Sequence, residues 1–417
     1  MADARAAAWT LLNSTGGEAM KRVFVLSFVC AALCALACSA PPSGRGAGEI
    51  EMAQGTSENR NGGSGANNSG GAVQFRVETV ASNLEVPWAI AFAPDNRILF
   101  TERGGRVRVI EAGKLRPQPI HVIADVEPSG ESGLMDLTLH PRFSENRFLY
   151  LAYAYRGDGG QRVRVVRFRE ANNSFTDSRV IVENIPAARN HAGTRVRFGP
   201  DGKLYITTGD ATDSNLAPNL SSLAGKTLRL NDEGSVPPDN PFVNQRDARP
   251  EIWSYGHRNA QGLAWQPGTD LQFQTEHGPS GFDGRGGGDE VNIVERGKNY
   301  GWNEISHRET RAGMESPLLE YTPAVAPASA MFYRGKAFPQ FQGNFFFGNL
   351  RGETLIRVVL DGRRVVSQER LLEDKYGRIR EVAEGTDGAI YFSTSNRDGR
   401  GTPARDDDRI MRLVPVK

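Results

Sequence analysis

The fold class predicted from the sequence is all-β, a six-bladed propeller of four-stranded antiparallel blades. Three observations predict it. One strand–turn–strand unit recurs six times from Val73 onward. The flanking segments alternate apolar and polar residues with a period of two, the mark of strands with one face buried. Gly and Pro are abundant, at 47 and 23 residues, while no helical periodicity of comparable strength is present.

The units run in order along the chain. IAFAPDNRILFTE (90–102) is the first, and LTLHPRFSENRFLYLAY (137–153) is the second, with a longer turn. VRFGPDGKLYITTGD (196–210) is the clearest, because Pro-Asp-Gly suits a tight turn between paired strands. LAWQPGTDLQFQTEHGP (263–279) follows. FPQFQGNFFFGNLRGETLIRVVLDG (338–362) reads as strands turning at Gly343 and Gly352, and VAEGTDGAIYFSTSN (382–396) is the last. Spacings of roughly 40–80 residues give each unit room for a four-stranded blade. A pair of β-sandwiches and a jelly roll are the alternatives, but recurrence over this length favours radial repetition. The uneven spacing places long insertions in inter-strand loops.

Ahead of this region, Met20-Lys21-Arg22 precedes the apolar run VFVLSFVCAALCALAC (23–38). A basic segment, a short apolar segment and small residues form a secretory signal pattern, too short to favour a membrane-spanning helix. Met20 is a possible true start. All three cysteines, Cys30, Cys34 and Cys38, lie in this run, so the 73–417 domain has no thiol nucleophile and no disulfide. Cys38 follows Ala35-Leu36-Ala37 and resembles a bacterial lipoprotein processing site, although Ala35 stands where Leu is usual. Lipid attachment and simple cleavage both remain open. Residues 39–72, including GTSENRNGGSGANNSGG, have the composition of a flexible linker. The expected location is the periplasm or cell envelope. With a net charge of +1, the chain shows no sign of a nucleic-acid partner.

Four segments interrupt the strand pattern with polar residues. In ARNHAGTRVRFGPDG (188–202), His191 lies just before a strand and is a candidate general base. The plain alternative is an exposed loop histidine. No HxH or HxxxH pair occurs, which argues against a histidine metal site. In IWSYGHRNAQGLAWQP (252–267), Arg258 could set a fixed positive charge over an oxygen that becomes negative, or form a surface salt bridge. In TEHGPSGFDGRGGGDEVNIVERGKNYGW (275–302), the Gly278-Pro279 turn could present backbone carbonyls to Ca²⁺, which takes about six to eight oxygen ligands. Asp289 and Glu290 are nearby carboxylates, and for Asp289 a solvated acidic turn is the alternative. The fourth segment is cationic, with Arg351 in FGNLRGE (347–353) and Arg378 and Arg380 in KYGRIREV (375–382). The last two share a strand face and repel unless an anion lies between them. A bound polycarboxylate would supply one, as would Glu373, Asp374 or Glu381.

Together GHRNAQGLAW (256–265), the Gly-Pro turn with DEVN (289–292) and KNYGW (298–302), and GRIREV (377–382) resemble the soluble aldose sugar and glucose dehydrogenases that use pyrroloquinoline quinone. PWAIAFAPD (87–95) and ESGLMDLTLHP (131–141) add to the likeness, which extends from about Val77 to Val414. The resemblance implies an enzyme that oxidises an aldose at C1 to the lactone and passes electrons to an external acceptor. His191 then matches the base, and Arg258 and Asn259 match residues beside the reactive quinone carbonyl. Glu131 matches a position near that carbonyl which is glutamine in several members. Asn190 stands where some glucose-specific members carry aspartate. Arg351, at a position often held by lysine, would join Arg378 and Arg380 in holding the quinone's carboxylates. Gly278 and Pro279 match calcium-binding carbonyls, and Glu290 and Tyr300 match ligands of a second, structural calcium. The segment 280–288 looks longer than its counterpart and could alter the mouth. Two further readings are a calcium-dependent lactonase and a non-catalytic sugar- or protein-binding propeller. NAD is not expected, because GRGGG (284–288) sits among alternating strands.

Overall fold

The computed structural model describes residues 73–416. The proposed signal segment, Cys38 and the 39–72 linker lie outside the described residues. Six antiparallel sheets follow one another along the chain, and the described residues contain a single four-residue α-helix, Phe143–Asn146. The innermost strands, from blade 1 to blade 6, are Pro87–Phe92, Leu134–Leu139, Val196–Phe198, Ala260–Trp265, Pro327–Phe332 and Ile379–Glu384. Each touches the next and the last touches the first, so the ring closes. Blade 6 is completed by the start of the domain: Phe75–Ala81 pairs with Ile410–Pro415, Phe75 opposite Pro415. Pairing the first and last strands of the domain locks the ring of blades shut. In blade 1 the outer strand is split into Lys114–Leu115 and His121–Val122.

The repeat is visible in atomic detail at the first hairpin of blades 3 and 6. In blade 3, Gly202 has φ 72° and its N–H donates to Gly199 O at 2.9 Å. In blade 6, Gly388 has φ 75° and donates to Gly385 O at 2.9 Å. Blade 1 makes the same turn with Asn96, φ 66°, one of the few side chains that tolerate this region. Asp201 accepts from Tyr205 Oη and Arg229 Nε, and Asp387 accepts from Tyr391 Oη and Arg412.

Across the central channel a buried ion cluster joins blades 2, 3 and 6. Arg195 Nη1 lies 2.8 Å from Asp136 and 2.7 Å from Glu381, and Arg197 reaches the same two carboxylates at 2.7 and 3.2 Å. Two guanidiniums against two carboxylates leave no net charge, and each carboxylate has several donors, which is what buried ions require. The Arg195 guanidinium also lies 4.7 Å from the centre of the Trp88 ring, adding blade 1.

Candidate functional site

In an antiparallel blade the start of the first strand and the end of the second share one rim of the ring. The predicted site residues obey this. Glu131, His191, Arg258 and Arg378 stand just before the inner strands of blades 2, 3, 4 and 6, and Gly278 just after the second strand of blade 4. Asp210 follows the second strand of blade 3, residues 280–283 that of blade 4, Arg351 that of blade 5, and Asp398 and Arg400 that of blade 6.

His191 is 3% exposed, so it is not a loop histidine in solvent. Its Nδ1 lies 2.7 Å from Asp210 Oδ1, whose second oxygen accepts from Trp302 Nε1 at 2.8 Å. A carboxylate on Nδ1 keeps the proton there and leaves Nε2 as the basic nitrogen. The His191 backbone is left-handed, φ 56°, and its carbonyl accepts from the Ala211 N–H at 3.2 Å. A Cβ at Gly209 would lie 1.9 Å from that carbonyl, so only glycine permits the approach.

Arg258 is 2% exposed and forms a buried pair rather than a surface one. Its guanidinium meets Asp283 at 2.7 Å, Ser280 Oγ at 3.0 Å and the His277 carbonyl at 3.2 Å. Asp283 and Ser280 belong to the long 280–288 segment, which therefore does reach the mouth. The same segment lays Phe282, 68% exposed, over the His191 imidazole at 6.1 Å between ring centres.

Glu131 sits between these groups. It accepts from the His191 N–H and from Asn259 Nδ2, both at 3.1 Å, and from Arg400 Nη1 at 2.8 Å. Burial opposes its ionisation, but the positive charge His277 carries when protonated and the Arg400 guanidinium together hold the carboxyl down to about 2, while burial lowers His277 itself. Asn259 Oδ1 accepts from the Gly193 N–H at 3.2 Å, and Asn190 Oδ1 from Arg400 Nη2 at 2.8 Å.

Arg378 and Arg380 do share an anion, and it is Asp398, at 2.8 and 3.3 Å. The alternative pairing with Glu373, Asp374 or Glu381 does not form at these two arginines; Glu381 belongs to the channel cluster. Burial, with Arg378 and Arg103 nearby, brings Arg380 down to about 10 in spite of Asp398. Arg351 is exposed. Cations thus outnumber Asp398 here, and His277 Nε2 is buried without a partner. An excess of buried positive charge beside an unsatisfied polar atom fits a multiply anionic, polar ligand.

The Gly278-Pro279 turn is held by Asp289, whose Oδ1 accepts from the Gly278 N–H at 2.8 Å. Asp289 Oδ2 accepts from the Val325 and Ala326 N–H groups at 2.7 and 2.6 Å. Asp289 is therefore a buried brace and not a solvated acid. A Cβ at Gly278 would meet the Gly288 and Gly287 carbonyl oxygens at 2.2 and 2.4 Å, so backbone oxygens crowd this turn. Hard oxygen donors of this kind suit Ca²⁺. Among the described residues no group of three or more His, Cys, Asp or Glu side chains forms a metal cage. Glu290 stands opposite Glu276 across two strands, and burial plus that neighbour raises its carboxyl well above the ordinary range. The Asn292 Oδ1 beside it is buried without a partner. Tyr300 stacks on His257, 4.7 Å between ring centres, and its hydroxyl donates to the Ile293 carbonyl at 2.6 Å.

Asp210, Trp302, Phe282, Asp283, Asp398 and Arg400 were not singled out from sequence. Trp302 closes KNYGW and Phe282 and Asp283 lie in the 280–288 segment, while Asp210 closes the strand segment YITTGD (205–210) and Asp398 and Arg400 lie in the polar run SNRDGRG (395–401).

Residues 84–410 match the family model described as Glucose / Sorbosone dehydrogenase. The aldose sugar dehydrogenase YliI of Escherichia coli is 37% identical over 342 residues, covering 78% of this chain and 91% of the relative. The crystal structure of the soluble aldose sugar dehydrogenase of Escherichia coli in its apo form superposes with TM-score 0.75 at 35% identity, covering 82% of this chain and 100% of the other. The PQQ-bound aldose sugar dehydrogenase of Streptomyces coelicolor gives TM-score 0.72 at 31% identity, covering 82% and 98%. With the ring of blades, the buried His191–Asp210 pair and the arginine-lined mouth, these matches establish that the chain belongs to the glucose/sorbosone dehydrogenase family and is a sugar dehydrogenase.

Proposed function

We propose that the protein oxidises aldoses at C1 to the lactone, using pyrroloquinoline quinone and calcium, with His191 as general base. One observation carries this reading: the Asp210-oriented His191 stands on the same rim as the arginine cluster and Arg258. When bound, the quinone supplies a two-electron acceptor for the C1 hydride, and calcium a Lewis acid beside it. His191 Nε2 takes the proton of the C1 hydroxyl, and Asp210 stabilises the imidazolium that results. Arg258 offers a fixed positive charge to an oxygen gaining electron density. Arg351, Arg378 and Arg380 would hold the cofactor's carboxylates through planar guanidinium contacts. Asn259 and Asn190 would orient its polar edge and the sugar, with Glu131 accepting from the Asn259 amide and so fixing its direction. The Gly278 and Pro279 carbonyls would face the catalytic calcium, and Glu290 and the Tyr300 carbonyl the structural one.

The PQQ-bound relative and the dehydrogenase names of the others support this reading over a lactonase or a non-catalytic propeller. We further propose that the chain is exported and carries lipid at Cys38, tethered by residues 39–72, with 73–417 as the catalytic domain. Intact mass of the mature protein decides the lipid. The function is tested by titrating calcium-loaded apoprotein with the quinone and following absorbance before and after an aldose is added. Stoichiometric uptake followed by bleaching is expected, and no uptake would overturn the proposal.

A further inference from the structure

Glu131 places an ionised carboxylate beside the base, in a site whose other charges suit an anion. Glu131 is partly buried, with 16% of its side chain exposed, and a charge in that setting is stabilised by a nearby counter-ion. Arg400 is that counter-ion, and it comes from the opposite end of the domain. Its Nη1 meets Glu131 Oε1 and its Nη2 meets Asn190 Oδ1, both at 2.8 Å. Arg400 is itself anchored, because its N–H donates to Asp398 Oδ1 at 2.9 Å while Asp398 Oδ2 takes Arg378 and Arg380. A polar chain therefore runs from the arginine pair through Asp398 and Arg400 to Glu131, and from there to the His191 backbone and the Asn259 amide. Besides Arg400, His277 from blade 4, His191 from blade 3 and Arg380 from blade 6 act on Glu131, and Arg103 from blade 1 donates to the adjacent Gly130 carbonyl at 2.5 Å.

We infer that Arg400 is a positioning residue of the sugar-oxidising site, cancelling the charge of Glu131 and locking it on His191 and Asn259 so that an anionic cofactor is tolerated beside it. This rests on the quinone-binding reading above. A chain with an amide at 131 would need no such cation, so the two side chains act as one unit.

The test uses R400Q, E131Q and R400Q/E131Q in the full chain. Quinone affinity is read from fluorescence quenching of calcium-loaded apoprotein, and the His191 imidazole titration from NMR of cofactor-free protein. R400Q is expected to weaken quinone binding by about tenfold, the scale of one uncancelled charge at a partly buried site, and R400Q/E131Q to return within about threefold of wild type. E131Q alone, which leaves Arg400 unopposed, is expected to bind at least as tightly as wild type, and this arm does not depend on R400Q folding. In cofactor-free protein R400Q should raise the His191 titration by about half a unit and the double variant should reverse it. Equal losses in R400Q and R400Q/E131Q, or weaker binding in E131Q, overturn the inference by reducing Arg400 to a loop prop. If wild type takes up no quinone, the functional reading falls, and the His191 shift alone decides the Arg400–Glu131 coupling.

Discussion

His191 and Asp210 face each other at 2.7 Å, both buried, with the Trp302 indole holding the far oxygen of the carboxylate. The pair is carried by a single blade: His191 precedes its first strand and Asp210 follows its second. A carboxylate so placed selects the imidazole tautomer and pays back the charge that forms on it.

Asp210→Asn removes that selection while keeping size and the Trp302 contact. The expected result is a fall in kcat of about 10²–10⁴-fold, with quinone affinity unchanged. Steady-state kinetics of the reconstituted variant beside a quinone titration would check it.

Asp283 holds Arg258 from the 280–288 segment, where an anionic ligand would compete for the same guanidinium. Asp283→Asn is therefore expected to tighten quinone binding by about two- to fivefold, the factor given by a partly exposed ion pair. Phe282, exposed and stacked on His191, would offer an apolar face to a sugar bound at that base. Phe282→Ser should raise the aldose KM by about three- to tenfold with little change in kcat, as loss of one aromatic contact implies.

The channel arginines make a contrasting case. Asp136 is buried between Arg195, Arg197 and the Val196 N–H. Asp136→Ala leaves two guanidiniums short of a partner and should cost about 3–5 kcal/mol of stability. Urea unfolding would show it as a lower midpoint with an unchanged slope.

Glu290 is expected to make the stability of the calcium-free protein depend on pH. Burial and the facing Glu276 raise its folded carboxyl well above the ordinary 4.5. Between the unfolded value and the raised one, the folded chain keeps a proton that the unfolded chain releases. Stability of the calcium-free protein should therefore fall as pH climbs from about 4.5 toward the raised value. Calcium should restore more thermal stability at pH 7.5 than at pH 5, and Glu290→Gln should flatten the calcium-free profile. Melting curves with chelator and with calcium at both pH values test this.

The strands and their turns were legible without coordinates, because they depend on neighbours along the chain. Alternation fixes which face of a strand is buried, and Pro-Asp-Gly supplies a residue free to take positive φ at Gly202. The six repeats and the family were likewise readable, since each is carried by short segments and the resemblance that those segments share.

What surrounds them was not readable. Arg400 meets Glu131 across 269 residues, Arg195 meets Glu381 across 186, and the first strand of the domain pairs with the last. Asp398 rather than a sequence neighbour neutralises Arg378 and Arg380, and Phe282 reaches His191 from another blade. Local pattern determines where a strand starts and stops. Closing six blades into a ring decides which strand ends share a rim, and therefore which charges must neutralise one another there.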